Sequence, residues 1–132
     1  MLQSTLRAVA GIAAFALLAA PQAFAADAKA EITIAAQHAT LASAAGTIAG
    51  VHMHLHHTLN CIEGPNGADF SKKDLNPCAN AGNGAIPDST DSTATAKLQM
   101  AVSQAVDGLK SNDLKTAQAD AAATAATLKA IQ

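Results

Sequence analysis

The 132-residue chain lacks tryptophan and tyrosine, has only three phenylalanines, and is only 14% charged. Its formal net charge is −2, and Arg7 is its single arginine. A chain with so few cations lacks the basic surface that nucleic acids and anionic membranes require, so neither is expected as a partner. A nucleophile elbow, a His-Glu-x-x-His motif and a phosphate-binding glycine loop are also missing, so the sequence does not predict an enzyme.

Residues 1–25 have the composition of a cleavable secretory signal peptide. Arg7 precedes an apolar run from residue 8 to residue 20, and Ala23 and Ala25 provide the small residues that signal peptidase requires. The run is too short to span the ~30 Å hydrocarbon core of a bilayer. We therefore expect residues 26–132 to form a single helical domain that is periplasmic or secreted, with no stable membrane anchor after cleavage.

Two cysteines, Cys61 and Cys78, remain after residue 25. An even number of cysteines in an exported chain predicts a disulfide. Closing a loop of this length stabilises a fold by roughly 3 kcal/mol in the chain-entropy model. A mixed metal site of His57 with the two cysteines is the alternative, and the two exclude each other because a bridged sulfur is not a thiolate. An oxidising compartment favours the disulfide.

Four segments repeat apolar residues at helical spacing, at about 28–45, 48–61, 93–109 and 114–132. The first two are predicted to be separate helices, because Gly46 offers a left-handed stop and Thr47 an N-cap. A continuous helix over 28–61 is the alternative. The apolar stripes of these two segments contain Ile34, His38, Leu41 and Ala45, then Ile48, Val51, Leu55 and Leu59.

Helical spacing stops between residues 62 and 92, where glycine, proline and asparagine mark successive turns. A connection of this length is unusual in a compact domain unless something holds it in place. The predicted disulfide would do so. We therefore predict an all-α protein, a small four-helix bundle made of two antiparallel helical hairpins joined by a long disulfide-pinned loop.

All five histidines lie between residues 38 and 57. His52 and His56 are one helical turn apart, the spacing at which two imidazoles chelate one ion, and His54 and His57 form a second pair on another face. A chain reversal near residue 46 would bring His38 opposite this segment. The pattern therefore predicts a metal site of His38, His52 and His56, with His54 and His57 as an auxiliary pair.

Three imidazoles with an open coordination position suit copper, zinc or nickel. Only neutral imidazole binds a metal, so affinity is expected to fall below about pH 6. Met53 is a possible additional ligand, and it or Met100 would favour Cu(I) through its thioether. Methionines at helical spacing are more often core residues.

Two other interpretations remain open. A b-type haem between His38 and a histidine of the second helix is possible in a helical bundle, whereas the absence of Cys-x-x-Cys-His excludes covalent attachment. Alternatively, the protein is a structural or interaction protein of the envelope, with solvated histidines and a disulfide-closed loop that contacts a partner.

The segment Gln37-His38-Ala39, followed after a glycine-containing turn by a histidine-rich helix, resembles small histidine-rich periplasmic metal-binding proteins of the four-helix-bundle type. The resemblance covers Glu31 to Leu59, and it implies a periplasmic location and metal binding. The chain departs from that pattern in having no histidine in its second half and in carrying the cysteine pair. Residues 54–61 with Gly64-Pro65 also resemble the signature of a family of uncharacterised exported bacterial proteins.

Overall fold

A computed structural model describes residues 26–132, which form five α-helices and no β-strand. The helices are α1 (Ala28–Ala44), α2 (Ile48–Glu63), α3 (Ala85–Asp88), α4 (Ser92–Lys110) and α5 (Leu114–Lys129). The predicted all-α class is confirmed, and the gap between α1 and α2 excludes a continuous helix over 28–61. None of these helices combines the length and the hydropathy of a membrane-spanning segment. The predicted signal peptide, residues 1–25, lies outside the described residues.

Side-chain caps define where the helices begin. Thr47 caps α2, because its Oγ1 accepts a hydrogen bond from the Gly50 N–H at 3.1 Å, and Asp113 caps α5 in the same way. The predicted N-cap at Thr47 is confirmed. The left-handed stop predicted at Gly46 is wrong, because α1 ends in the extended backbone of Ala45 and no positive φ occurs in this turn.

The core consists largely of alanine, which lets the helices approach closely. α1 packs against α2 and α5, α4 packs against α5, and α2 also contacts α4. The apolar stripe predicted for α1 is wrong at Leu41, which is 49% exposed. The buried face of α1 is offset by one residue from that stripe. The fully buried alanines of the four long helices are Ala35, Ala39, Ala42, Ala101, Ala105, Ala117 and Ala121.

The connection between α2 and α4 is fastened to α2 at two points. Cys61 and Cys78 form the predicted disulfide and are buried. The Asn60 Nδ2 donates to the carbonyls of Ser71 and Leu75 at 3.0 Å each, and the Ser71 N–H donates to Asn60 Oδ1. The predicted loop at 62–92 is therefore a held segment that also contains α3. The alternative site of His57 with two thiolates is excluded, since both sulfurs are bridged.

Candidate metal centre

The register between α1 and α2 decides which histidines meet. Thr58 Oγ1 lies 3.4 Å from the Ala35 carbonyl, and His38, one turn further along α1, faces His54, one turn earlier on α2. The two helices therefore run antiparallel across this contact. Helical periodicity then places His57, three residues after His54, on the same side of α2.

His38, His54 and His57 form a compact trio, called here the histidine triad. One ligand nitrogen from each ring can be chosen so that all three lie within 4.8 Å of one another. The Nδ1 atoms of His38 and His54 are 3.3 Å apart. Two nitrogens bound at ~2.1 Å to one tetrahedral ion are ~3.4 Å apart, so the spacing of His38 and His54 matches that of two ligands of one ion. The His57 nitrogen lies within 4.8 Å of both.

The three rings are in mutual contact. The centroids of His38 and His57 are 5.0 Å apart in an edge-to-face arrangement, and His54 lies 5.5 Å from His38 and 5.7 Å from His57. Because two rings come from α2 and one from α1, a shared ion would bridge the two helices.

The surroundings of the triad favour neutral imidazole. Burial lowers the pKa of His38 below its ordinary 6.5, and the neighbouring His57 and His54 lower it further. Burial also lowers the pKa of His57, with a contribution from His54, while the charge of Asp74 acts in the opposite direction. Neutral imidazole is the form that binds a metal, so the lowered pKa values of His38 and His57 favour binding by these two rings.

His57 is the most deeply placed of the three rings. It is 8% exposed, and its Nδ1 is buried with no hydrogen-bond partner among residues 26–132. His38 and His54 are only half-buried, so the triad has an open side. An ion bound there could exchange with solvent or with another ligand.

The other two histidines face elsewhere. The His52 Nε2 lies 2.9 Å from the Ser111 carbonyl, in the turn between α4 and α5. The Nδ1 of His56 is buried and has no hydrogen-bond partner in the described part of the chain. The structure thus brings His38 together with the predicted auxiliary pair and not with the predicted principal pair. The physical reason is that α1 meets the side of α2 that carries His54 and His57.

Asp74 contributes to the electrostatics of the triad, and the sequence analysis did not predict this role. Its charge acts on His57, and its Oδ2 accepts a hydrogen bond from Ser71 Oγ at 2.5 Å. Asp74 lies in the aperiodic loop, where neither helical spacing nor a ligand motif relates it to the histidines. The only sequence signal is Asn60, a buried polar residue at the end of α2 that holds this loop in place.

No protein-family model, no curated protein and no solved structure matches this chain. The geometry of the triad is therefore the basis for assigning a function.

Proposed function

We propose that the exported protein is a four-helix bundle of two antiparallel hairpins that binds one transition-metal ion through His38, His54 and His57. Copper, zinc and nickel are the metals that suit these ligands. The protein acts as a buffer or carrier of that metal in the periplasm, and it is not an enzyme. The resemblance of residues 31–59 to small histidine-rich periplasmic proteins supports both the periplasmic location and the metal-binding function.

The observation that carries this proposal is the convergence of three imidazoles from two helices. Among residues 26–132, the triad is the one set of three or more histidine, cysteine or carboxylate side chains whose ligand atoms all lie within 4.8 Å of one another. Lowered pKa values of His38 and His57 keep these rings neutral. The open side supports reversible binding, which a buffer or carrier needs.

The ring contacts favour a metal ion over haem. A b-type haem held by two histidines requires its porphyrin plane between their rings. His38 and His57 are in edge-to-face contact, which leaves no gap of that width. The two surface grooves that border α1 contain no histidine in their linings.

A test of this proposal compares histidines inside and outside the triad. Calorimetric titration of the exported, processed protein with Cu²⁺, Zn²⁺ and Ni²⁺ should show one site of micromolar or tighter affinity for at least one metal. His38→Gln and His57→Gln should each weaken binding by roughly 100-fold or more, beyond the 10–100-fold typical of outer-shell partners. Bound metal should also raise the melting temperature, because it binds the folded state preferentially.

His52→Gln and His56→Gln are the matched controls, since they remove imidazoles from the same helix but outside the triad. Both should bind metal as the parent protein does. Thermal melts of the metal-free variants separate a lost ligand from a lost fold. Equal affinity in the parent and in His38→Gln, or no binding at all, would contradict the proposal and favour an envelope interaction protein.

A further inference from the structure

The triad contains no anionic ligand. All three of its donors are imidazoles, and the nearby Asp74 carboxylate is engaged with Ser71 Oγ. Three neutral imidazoles suit divalent copper, zinc or nickel and also Cu(I), so the choice among these ions depends on the fourth ligand.

A soft donor lies on the same helix as two of the triad's rings. Met53 precedes His57 by four residues on α2 and is adjacent to His54, so helical geometry places it about 5–6 Å from His57 between Cβ atoms. Both side chains lean toward the N-terminus of α2, so the pair keeps about this separation. Met53 is 43% exposed, so it is not committed to the core.

Methionine has the reach and the chemistry to approach an ion held by its helical neighbour His57. Its side chain has three rotatable bonds and a polarisable sulfur that adapts to irregular surroundings. Thioethers select Cu(I), whereas zinc and nickel sites are satisfied by imidazole. Met100 is also exposed, but it lies on α4, outside the contact between α1 and α2 that forms the triad.

We infer that the ion held by the triad is Cu(I), with the Met53 thioether as the fourth ligand beside His38, His54 and His57. This inference rests on the proposed function. It assigns an exposed methionine to metal binding and gives the protein a preference for the reduced form of copper.

The test uses Met53→Leu, with Met100→Leu as the matched control for an exposed helical methionine. Under anaerobic conditions, competition with the Cu(I) chelator bathocuproine disulfonate gives Cu(I) affinity, and competition with a chromogenic Zn²⁺ chelator gives zinc affinity. Met53→Leu should weaken Cu(I) binding by about tenfold or more, in the range of losses seen for supporting ligands, and leave zinc affinity unchanged. Met100→Leu should change neither.

X-ray absorption at the copper edge gives a direct second readout. The Cu(I) complex of the parent and of Met100→Leu should show one sulfur scatterer, and that of Met53→Leu should show none. Unchanged Cu(I) affinity and spectrum in Met53→Leu, with binding still lost in His57→Gln, would overturn this inference and leave the proposed function standing. Unchanged binding in His57→Gln as well would instead remove the proposed function.

Discussion

Among single residues, Glu31 is held in the least favourable surroundings for its charge. Its side chain is fully buried, its Oε1 accepts from the Gly84 N–H at 2.7 Å, and its Oε2 has no partner within residues 26–132. Burial raises the pKa of Glu31 to about 7, and the Gly84 N–H opposes the rise. Asp88, through its charge and a side-chain hydrogen bond, and the charge of Asp27 add to the rise. The folded protein thus holds a proton that an exposed glutamate would release.

The sign of the resulting pH dependence follows from this raised pKa. Between pH 4.5 and about 7 the folded chain keeps the Glu31 proton and the unfolded chain loses it, so this contribution to stability falls as pH rises. Glu31→Gln removes the ionisation and keeps an oxygen for Gly84. We expect it to exceed the parent in free energy of unfolding at pH 8, by on the order of 2 kcal/mol, with most of that gain lost at pH 5.

Urea denaturation at the two pH values measures this difference. Comparing each variant with the parent removes the contribution of His38 and His57, whose lowered pKa values make stability rise with pH. Asp107→Asn is the matched control, since it removes a carboxylate that is 67% exposed. A parent and a Glu31→Gln variant with the same pH profile would show that Glu31 is ionised at no cost in the folded protein.

At the scale of helices and turns, the chain reversal between α1 and α2 brings His38 on α1 to the two histidines of the triad on α2. Thr47 is its main sequence-encoded signal, because its hydroxyl satisfies the Gly50 N–H at the start of α2. Thr47→Ala should lower the free energy of unfolding by about 1 kcal/mol, the typical cost of losing an N-cap. Thr47→Ser retains the oxygen and should be close to the parent in urea denaturation. A Thr47→Ala variant as stable as Thr47→Ser would contradict the role of the cap.

The sequence was sufficient to predict the long helices, because apolar periodicity and capping residues coincide at their starts. It was insufficient to orient α1. Alanine occupies so many positions of α1 that the sequence does not distinguish one apolar stripe from another. The predicted stripe included Leu41 because it is a large apolar residue, although its side chain is half exposed. A one-residue error in that face is enough to exchange the partners of His38, from His52 and His56 to His54 and His57. The short α3 has four residues, too few for any periodicity.

For the molecule as a whole, the disulfide and Asn60 together fasten the long connection to the end of α2. Cys61→Ala/Cys78→Ala should lower the free energy of unfolding by roughly 3 kcal/mol, because the unfolded chain regains the freedom of the closed loop. The hydrogen bonds of Asn60 remain, so the folded variant should keep its loop.

Reductant provides the check in the same denaturation experiment. It should destabilise the parent protein and leave the double variant unchanged. A double variant as stable as the oxidised parent would show that the native loop contacts alone restrict the chain. Metal titration of the double variant then reports whether the triad depends on the disulfide one turn beyond His57.

The alanine core also determines how this protein can evolve. A core of large side chains is damaged mainly by truncation, but buried alanines such as Ala35, Ala39 and Ala42 have almost nothing to remove. Damage must come from enlargement, since each added methyl group pushes two backbones apart. On α1 that displacement would separate His38 from His54 and His57. These small buried side chains therefore set the spacing of the histidine triad, and they are the positions at which we expect the least tolerance of change.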